Sequence, residues 1–336
     1  MFLKYDKVKW GIIGCGDVTE VKSGPAFYKS DNSELIAVMR RDVIKAKDYA
    51  KRHNVKKYYS DADSLINDNE INAIYIATPP SSHAEYAIKA MKVGKAVYVE
   101  KPMALNYLQA KEMIRVSREQ NVALFVAYYR RLLEYFIKVK ELLESGVLGK
   151  ITQFHLNLTK PLKTEKYLNK KPWRVIPEIS GGGYFYDLGS HQIDILDFLF
   201  GKAKTVKGKA VNNSKLYEAE DTVSAFFEFE NDIIGTANWN FGSVASVNVD
   251  FMKIIGTKGK IEFSFFSFNP IILTTDKGKE KYYYKRPKHI QQNMVQDIVN
   301  MLTGKIDLND NAISGLRTSM ILEEITASFK KSNVVE

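Results

Sequence analysis

Trp10-Gly11-Ile12-Ile13-Gly14-Cys15-Gly16-Asp17-Val18-Thr19 is an apolar strand running into a Gly-x-Gly turn. Such a turn lets the backbone approach a pyrophosphate closely, and the helix after it offers free N–H groups and the positive end of its dipole. Gly14, Gly16, Asp17, Val18 and Thr19 are therefore candidates to hold a dinucleotide. Thr19 stands where the strict fingerprint has a third glycine, and a Gly-x-Gly by itself is also an ordinary tight turn. The flanking sequence separates these readings.

Val8–Ile13 is the first of six short apolar strands, followed by Leu35–Met39, Lys57–Ser60, Ala73–Ala77, Ala96–Val99 and Ala123–Ala127. Helical patterns lie between them over Lys22–Lys29, Val43–His53, Ala62–Asn67, Ser82–Val93 and Leu105–Gln120. Strands separated by helices need crossover connections, almost always right-handed, which build a parallel sheet. A doubly wound α/β domain over residues 1–125 follows, and the glycine turn opens its first βα unit, where a dinucleotide turn belongs.

The pattern changes after residue 150. One helix over about Gly183–Leu199 precedes alternating runs at Thr205–Val211, Thr222–Glu228, Ile233–Trp239, Ser246–Ile255 and Lys260–Ser264. Turns such as Glu230-Asn231-Asp232 and Gly256-Thr257-Lys258-Gly259 join them, so an antiparallel or mixed sheet is expected. Helices at Gln291–Leu302 and Asp310–Phe329 complete a second α/β domain over 126–336. The aromatic runs Phe263–Phe268 and Tyr282–Tyr284 read as strand faces or a subunit contact.

The chain has 336 residues, 45% hydrophobic and 26% charged. These proportions exclude wholesale disorder, and the length suggests two domains. No run approaches ~18 consecutive apolar residues, so no membrane-spanning helix is expected. MFLKYDKVKW passes straight into a strand without the order of a signal peptide, and the single Cys15 excludes an internal disulfide or a multi-cysteine metal site. The expectation is a soluble, cytoplasmic protein with no metal centre. The net charge of +10 is evenly spread, with +5 up to residue 124 and +5 after it. Nucleic-acid binders concentrate their charge on one arm or face, which argues against that role.

Cofactor choice is read at the end of the second strand, where Arg40 and Arg41 lie about 20 residues beyond the glycine turn. An NAD site places an Asp or Glu there for the ribose 2′-hydroxyl, whereas a guanidinium can bind a 2′-phosphate bidentately. NADP is the preferred cofactor, with Asp42 leaving NAD open.

Two further segments carry chemistry. The fifth strand runs into Glu100-Lys101-Pro102, which projects a lysine from the carboxyl edge of the sheet, where open α/β sheets bind ligands. The second is Gly181-Gly182-Gly183-Tyr184-Phe185-Tyr186-Asp187-Leu188-Gly189-Ser190-His191-Gln192-Ile193-Asp194. Its glycines would let substrate or cofactor approach the backbone, and Asp187 and His191 fall at i and i+4 on one helical face. A histidine oriented by a carboxylate suits proton transfer near neutral pH. Alone this is an ordinary surface pair; beside a dinucleotide turn and Lys101 it reads as an acid–base site.

Gly14-Cys15-Gly16, Ala77-Thr78-Pro79-Pro80-Ser81-Ser82-His83, Glu100-Lys101-Pro102, Trp173-Arg174 and the Gly181–Asp194 block, in this order, resemble the glucose-fructose oxidoreductase / inositol dehydrogenase / MocA-type oxidoreductases along nearly the whole chain. The resemblance implies a Rossmann domain and an α/β domain with a large open-faced sheet that forms a homodimer or homotetramer contact. It implies hydride transfer between a nicotinamide and a sugar, polyol or related hydroxy compound. His191 would then be the acid/base oriented by Asp187, and Lys101 would donate to the same oxygen or relay the proton. By the same resemblance Thr78, Pro79, Glu100 and Lys101 edge the cofactor and His83 either touches it or caps the next helix, while Tyr128, Arg130, Trp173 and Arg174 either line the substrate cleft with Lys101, Asp187 and His191 or serve in ordinary packing and surface salt bridges. The Lys101–Pro102 bond is expected to be cis. His53, His155 and His289 look structural. The Lys-rich segment Lys160–Ile179 points weakly to a polar or anionic ligand. A catalytically silent nucleotide- or sugar-binding regulator is the rival, and retention of Lys101, Asp187 and His191 together argues against it.

Overall fold

Six strands rich in Val, Ile and Tyr pair in parallel in the order β3-β2-β1-β4-β5-β6: β1 (Val8–Ile13), β2 (Ser33–Met39), β3 (Lys57–Tyr59), β4 (Ala73–Ile76), β5 (Ala96–Val99) and β6 (Leu124–Val126). Every residue of β4 and β5 is buried, because crossover helices cover both faces of such a sheet. The strand order reverses between β1 and β4, which sets the carboxyl ends of these two strands side by side. This computed structural model describes residues 4–162, 171–309 and 311–332.

The segment after the glycine turn departs from the single helix expected over Lys22–Lys29. Two short helices form instead, Asp17–Val21 and Ala26–Lys29. The break falls at Gly24-Pro25, where a side chain on Gly24 would collide with the Thr19 carbonyl and the Tyr49 hydroxyl.

A second sheet has eight strands in the order β14-β13-β12-β11-β7-β10-β9-β8. These are β7 (Ile151–Pro161), β8 (Ala203–Val211), β9 (Thr222–Phe229), β10 (Ile234–Ser243), β11 (Val249–Gly256), β12 (Gly259–Phe263), β13 (Ile271–Thr275) and β14 (Gly278–Tyr282). The sheet is mixed, because β10 runs parallel to β7 while its other pairings are antiparallel. No strand was expected at 151–161, yet β7 is central. Its alternation of buried Phe154, Leu156 and Leu158 with His155 and Asn157 is the period-two pattern of a strand with one covered face. The opposite face carries a polar row: Ser224 donates to Asn238, and Asn238 to Asn157, at 2.8 and 3.1 Å.

The chain forms two units that are discontinuous in sequence, Met1–Tyr129 with Pro287–Leu316, and Arg130–Arg286 with Arg317–Glu336. A linear cut at 125/126 assigns 287–316 to the second domain, whereas its helix Gln292–Leu302 packs in the first. Gln291, at that helix's N-cap, accepts from the buried Tyr98 hydroxyl at 2.8 Å. The last helix spans Ala312–Ser332; the expected start at Asp310 lies outside the described residues, as do 163–170 of the Lys160–Ile179 segment. Among the described residues no helix is long and apolar enough to cross a membrane.

Candidate functional site

In the first unit the glycine turn has the geometry a phosphate cradle requires. Gly14 has φ +92°, in the left-handed region, and a Cβ there would lie 2.8 Å from Thr78 Cγ2 and 2.9 Å from the Thr78 nitrogen. The protein itself therefore demands this glycine. Gly16 differs: its φ of −136° suits any residue, and a Cβ would meet nothing nearer than 3.9 Å. Protein packing gives no reason for a glycine at that position, whereas a group approaching the backbone does, so the turn fits a dinucleotide phosphate. Thr19 is fully buried and folds its hydroxyl back onto the Gly16 carbonyl at 2.8 Å, which fits threonine at the third-glycine position. Asp17 is exposed and Val18 half-buried.

A continuous frame runs from this turn to Lys101. Thr78 abuts Gly14, and its carbonyl faces His83 Nε2 at 2.8 Å. His83 Nδ1 faces the Pro102 carbonyl at 3.0 Å. The ring is wholly buried; burial pushes its pKa down, while the two carbonyls pull it up. The Lys101–Pro102 bond is cis. Beneath it Glu100 is buried and accepts from the Tyr75 hydroxyl and Gln291 Nε2, both at 2.6 Å, and from the Lys101 N–H at 3.2 Å. His83 and Glu100, expected at the cofactor, lie beneath the surface and hold the Lys101 turn. Pro79 and Lys101 are half-buried.

Arg40 is half-buried and donates to the Cys15 carbonyl at 3.3 Å, which lays its guanidinium across the glycine turn. Arg41 is exposed. Asp42 caps the helix Val43–Arg52 through the Lys45 N–H at 3.1 Å and pairs with the Lys45 ammonium at 3.2 Å.

The second unit holds the other expected residues. Gly181 closes a short helix with φ +86°. Gly182 and Gly183 are glycines for a different reason than ligand approach: a side chain would strike the Tyr186 ring at the first and the Glu220 carbonyl at the second. The Gly183 N–H donates to Glu220 Oε1 at 2.7 Å, so its donor is taken by the protein. Glu220 is buried, and burial pushes its pKa up to about 7.

Phe185–Gly189 winds as a π-helix before the α-helix Ser190–Phe200, so Asp187 and His191 straddle a change of winding that spacing alone does not reveal. Such π-turns are frequent at functional sites. Asp187 accepts from Arg174 Nε at 3.2 Å, and the Arg174 guanidinium lies 4.5 Å over the Trp173 ring, so three expected residues form one group. His191 is 3% exposed, with its ring 6.4 Å from that of Phe266. Arg130 is buried over Phe266. Tyr128 is wholly buried in the hydrophobic core of the first unit, where it packs rather than lines a cleft.

Sequence spacing also misses an ion cluster. Asp194 receives both Arg131 Nε and Nη2 at 2.9 and 2.7 Å, and Asp197 bridges Arg131 and Arg317 at 3.1 and 2.6 Å. Burial pushes Asp194 up to about 6 against the pull of Arg131. Of the other histidines, His53 stacks on Tyr49 at 4.1 Å, His155 meets Thr236 and His289 meets the Val21 carbonyl. Among the described residues no group of three or more His, Cys, Asp or Glu could hold a metal ion.

Comparison with known proteins identifies the family. Residues 8–128 match the model of an oxidoreductase family with an NAD-binding Rossmann fold, GFO_IDH_MocA, and residues 136–262 match the GFO/IDH/MocA C-terminal domain. The chain is 42% identical over 294 residues to Oxidoreductase P35 of Formosa agariphila, covering 87% of this chain and 90% of that protein. It is 28% identical over 261 residues to trans-1,2-dihydrobenzene-1,2-diol dehydrogenase of Mus musculus, covering 75% and 73%. A levoglucosan dehydrogenase solved with NADH and levoglucosan superposes with TM-score 0.83 at 21% identity, covering 97% and 98%. WlbA dehydrogenase of Bordetella pertussis, solved with NADH and UDP-GlcNAcA, gives TM-score 0.81 at 24% identity, covering 97% of each chain. With both domain models matched in order and a relative this similar along most of its length, the chain belongs to the GFO/IDH/MocA family of NAD-binding oxidoreductases.

Proposed function

We propose that this oxidoreductase moves a hydride between NADP(H) and a sugar, polyol or related hydroxy compound, with His191 as acid/base and Lys101 on the reacting oxygen. One observation carries the reading: an unbroken frame, Gly14 against Thr78, Thr78 to His83, His83 to Pro102, ties the phosphate turn to the lysine. The relatives named above, a dihydrodiol dehydrogenase and a levoglucosan dehydrogenase, support a vicinal or ring hydroxyl as the target.

Gly14, Gly16 and the N-terminus of Asp17–Val21 would hold the pyrophosphate, with Thr78 and Pro79 along the edge and Arg40 and Arg41 on the 2′-phosphate. A bound nicotinamide supplies or takes the hydride. Lys101 donates a hydrogen bond to the substrate oxygen and stabilises the negative charge that develops there during reduction. His191 gives the proton to that oxygen in reduction and takes it in oxidation. Asp187 orients the imidazole and, through Arg174, is joined to Trp173, where these two residues contact the substrate. The first unit acts as the dinucleotide domain and the second as the substrate domain. The polar outer face of the second sheet, with Ser224, Asn238 and Asn157 in a row, supports a homodimer or homotetramer contact.

The test is kinetic. With a substrate found from a panel of sugars and polyols, Lys101→Ala and His191→Ala are each expected to lower kcat by about 10²–10⁴, the usual scale for positioned proton-transfer groups. Dinucleotide affinity should stay within a few-fold. The double variant should be little worse than the poorer single, because both groups serve one step. Wild-type turnover in both single variants overturns the assignment.

A further inference from the structure

The stretch Ser264–Asn269, after β12, is held far more firmly than an exposed loop requires. Asp250 Oδ1 accepts the Phe265 N–H at 2.9 Å. Its Oδ2 accepts the N–H groups of Phe266 and Ser267, both at 2.7 Å, and the Ser267 hydroxyl at 2.9 Å. The Tyr135 hydroxyl accepts the Ser264 N–H at 2.9 Å and donates to the Asn269 carbonyl at 2.8 Å. Asn269 N–H closes the loop onto Ser264 Oγ at 2.9 Å. Phe263 and Phe265 turn into the core against Phe136.

Phe266 is half-buried and faces a different neighbourhood. The Arg130 guanidinium lies 4.5 Å over its ring, and the His191 ring stands 6.4 Å away at 70°. Arg130 itself is 3% exposed and donates to the Phe265 carbonyl at 2.5 Å. Its partners include the backbone and the Phe266 ring of this loop and the ring of Phe136.

We infer that Phe266 is the apolar wall of the substrate site beside His191, selecting ring-shaped polyhydroxy compounds by stacking on their C–H face, and that Arg130 is a positioning residue acting through it. The inference rests on the reading of His191 as acid/base. A pyranose or cyclitol presents a flat apolar face of C–H bonds that an aromatic face complements. An open-chain polyol must freeze several rotors to offer the same face, and that entropy cost discriminates against it.

Equilibrium binding to enzyme saturated with NADPH or NADH, with which these hydroxy compounds form non-reacting complexes, tests this with levoglucosan, myo-inositol and sorbitol as probes. Phe266→Ala is expected to weaken the two cyclic compounds about tenfold and leave sorbitol within about twofold. Phe266→Tyr keeps wild-type affinities. Phe266→Leu, which retains bulk without a flat face, falls with Phe266→Ala and separates lost stacking from lost packing. Arg130→Met reproduces the ring-selective loss and adds nothing to Phe266→Ala. Equal loss for cyclic and open-chain probes, no loss for either, or a wild type that binds neither cyclic compound overturns the inference. Full turnover in His191→Ala sinks the acid/base assignment alone and leaves these affinities standing.

Discussion

Arg40 shows how far one side chain's role can be argued. Its guanidinium is laid across the glycine turn by the Cys15 carbonyl, while Asp42 is occupied as a helix cap and by the Lys45 ammonium. The carboxylate beside the arginine pair is thus otherwise engaged, which supports the proposed preference for NADP. Arg40→Ala is expected to weaken NADPH about tenfold or more and to leave NADH nearly unchanged, since a charge-assisted guanidinium–phosphate contact of about 1.5–3 kcal/mol is lost from one ligand only. Fluorescence titration of both reduced dinucleotides checks this; an equal loss for the two would remove the 2′-phosphate assignment. The pair Arg40-Arg41 was legible in the sequence. The occupation of Asp42 was not, because capping depends on where the next helix begins.

At the scale of the element, the glycine turn divides into two residues with separate reasons. Gly14 answers to backbone geometry and to Thr78, whereas Gly16 answers to neither. Gly14→Ala should therefore destabilise the fold by a few kcal/mol, through positive φ and a collision with backbone. Gly16→Ala should leave the melting temperature within a degree or two and weaken dinucleotide binding tenfold or more. Thermal denaturation beside a binding titration separates the two; a large loss of stability in Gly16→Ala would contradict the cradle. The motif showed both glycines but could not distinguish them, because the distinction lies in contacts with Thr78, 64 residues away. The Gly181–Gly183 run gives the opposite lesson. Its glycines suggest ligand approach, but Tyr186 and Glu220 occupy the space beside the second and third.

For the whole molecule, buried carboxyls make stability depend on pH. Glu220 carries a pKa raised to about 7 by burial, with Lys330 pulling the other way, against an ordinary value of 4.5. The folded state therefore holds a proton that the unfolded chain has already released. This contribution is complete below about 4.5 and is lost as pH rises through about 7. Asp194, raised to about 6, acts in the same direction over a narrower window. Glu34 and Glu20, held near 2 by Lys56 and Lys7 and by Arg52, act oppositely, and their contribution is lost as pH falls below 4.5. Glu220→Gln keeps an oxygen for the Gly183 N–H and removes the titration. It is expected to flatten the fall in stability between pH 5 and 8 and to be the more stable protein at pH 8, by on the order of 2 kcal/mol. Denaturation at several pH values checks this; parallel profiles for the two proteins would contradict it.

The architecture and the candidates for the chemistry could be read locally, because hydrophobic period and turn residues report on neighbouring residues along the chain. Six apolar strands alternating with helices specify a parallel sheet whatever lies beyond them, and Gly14, Gly16, Lys101, Asp187 and His191 announce themselves by residue type and spacing. What folding alone decided concerns partners distant in sequence. Alternation was present at Ile151–Pro161, yet its central place depends on pairing with β10 and β11, some 80 to 100 residues on. The return of 287–316 to the first unit brings Gln291 to Glu100 and Tyr98 and Asn311 to Val126. Tyr128, Arg130, His83 and Glu100 were recognised as belonging near the site. Only folding showed that His83, Glu100 and Arg130 are buried against backbone carbonyls or neighbouring side chains and that Tyr128 packs in a hydrophobic core, since a polar side chain's role is set by which partner satisfies it once water is gone.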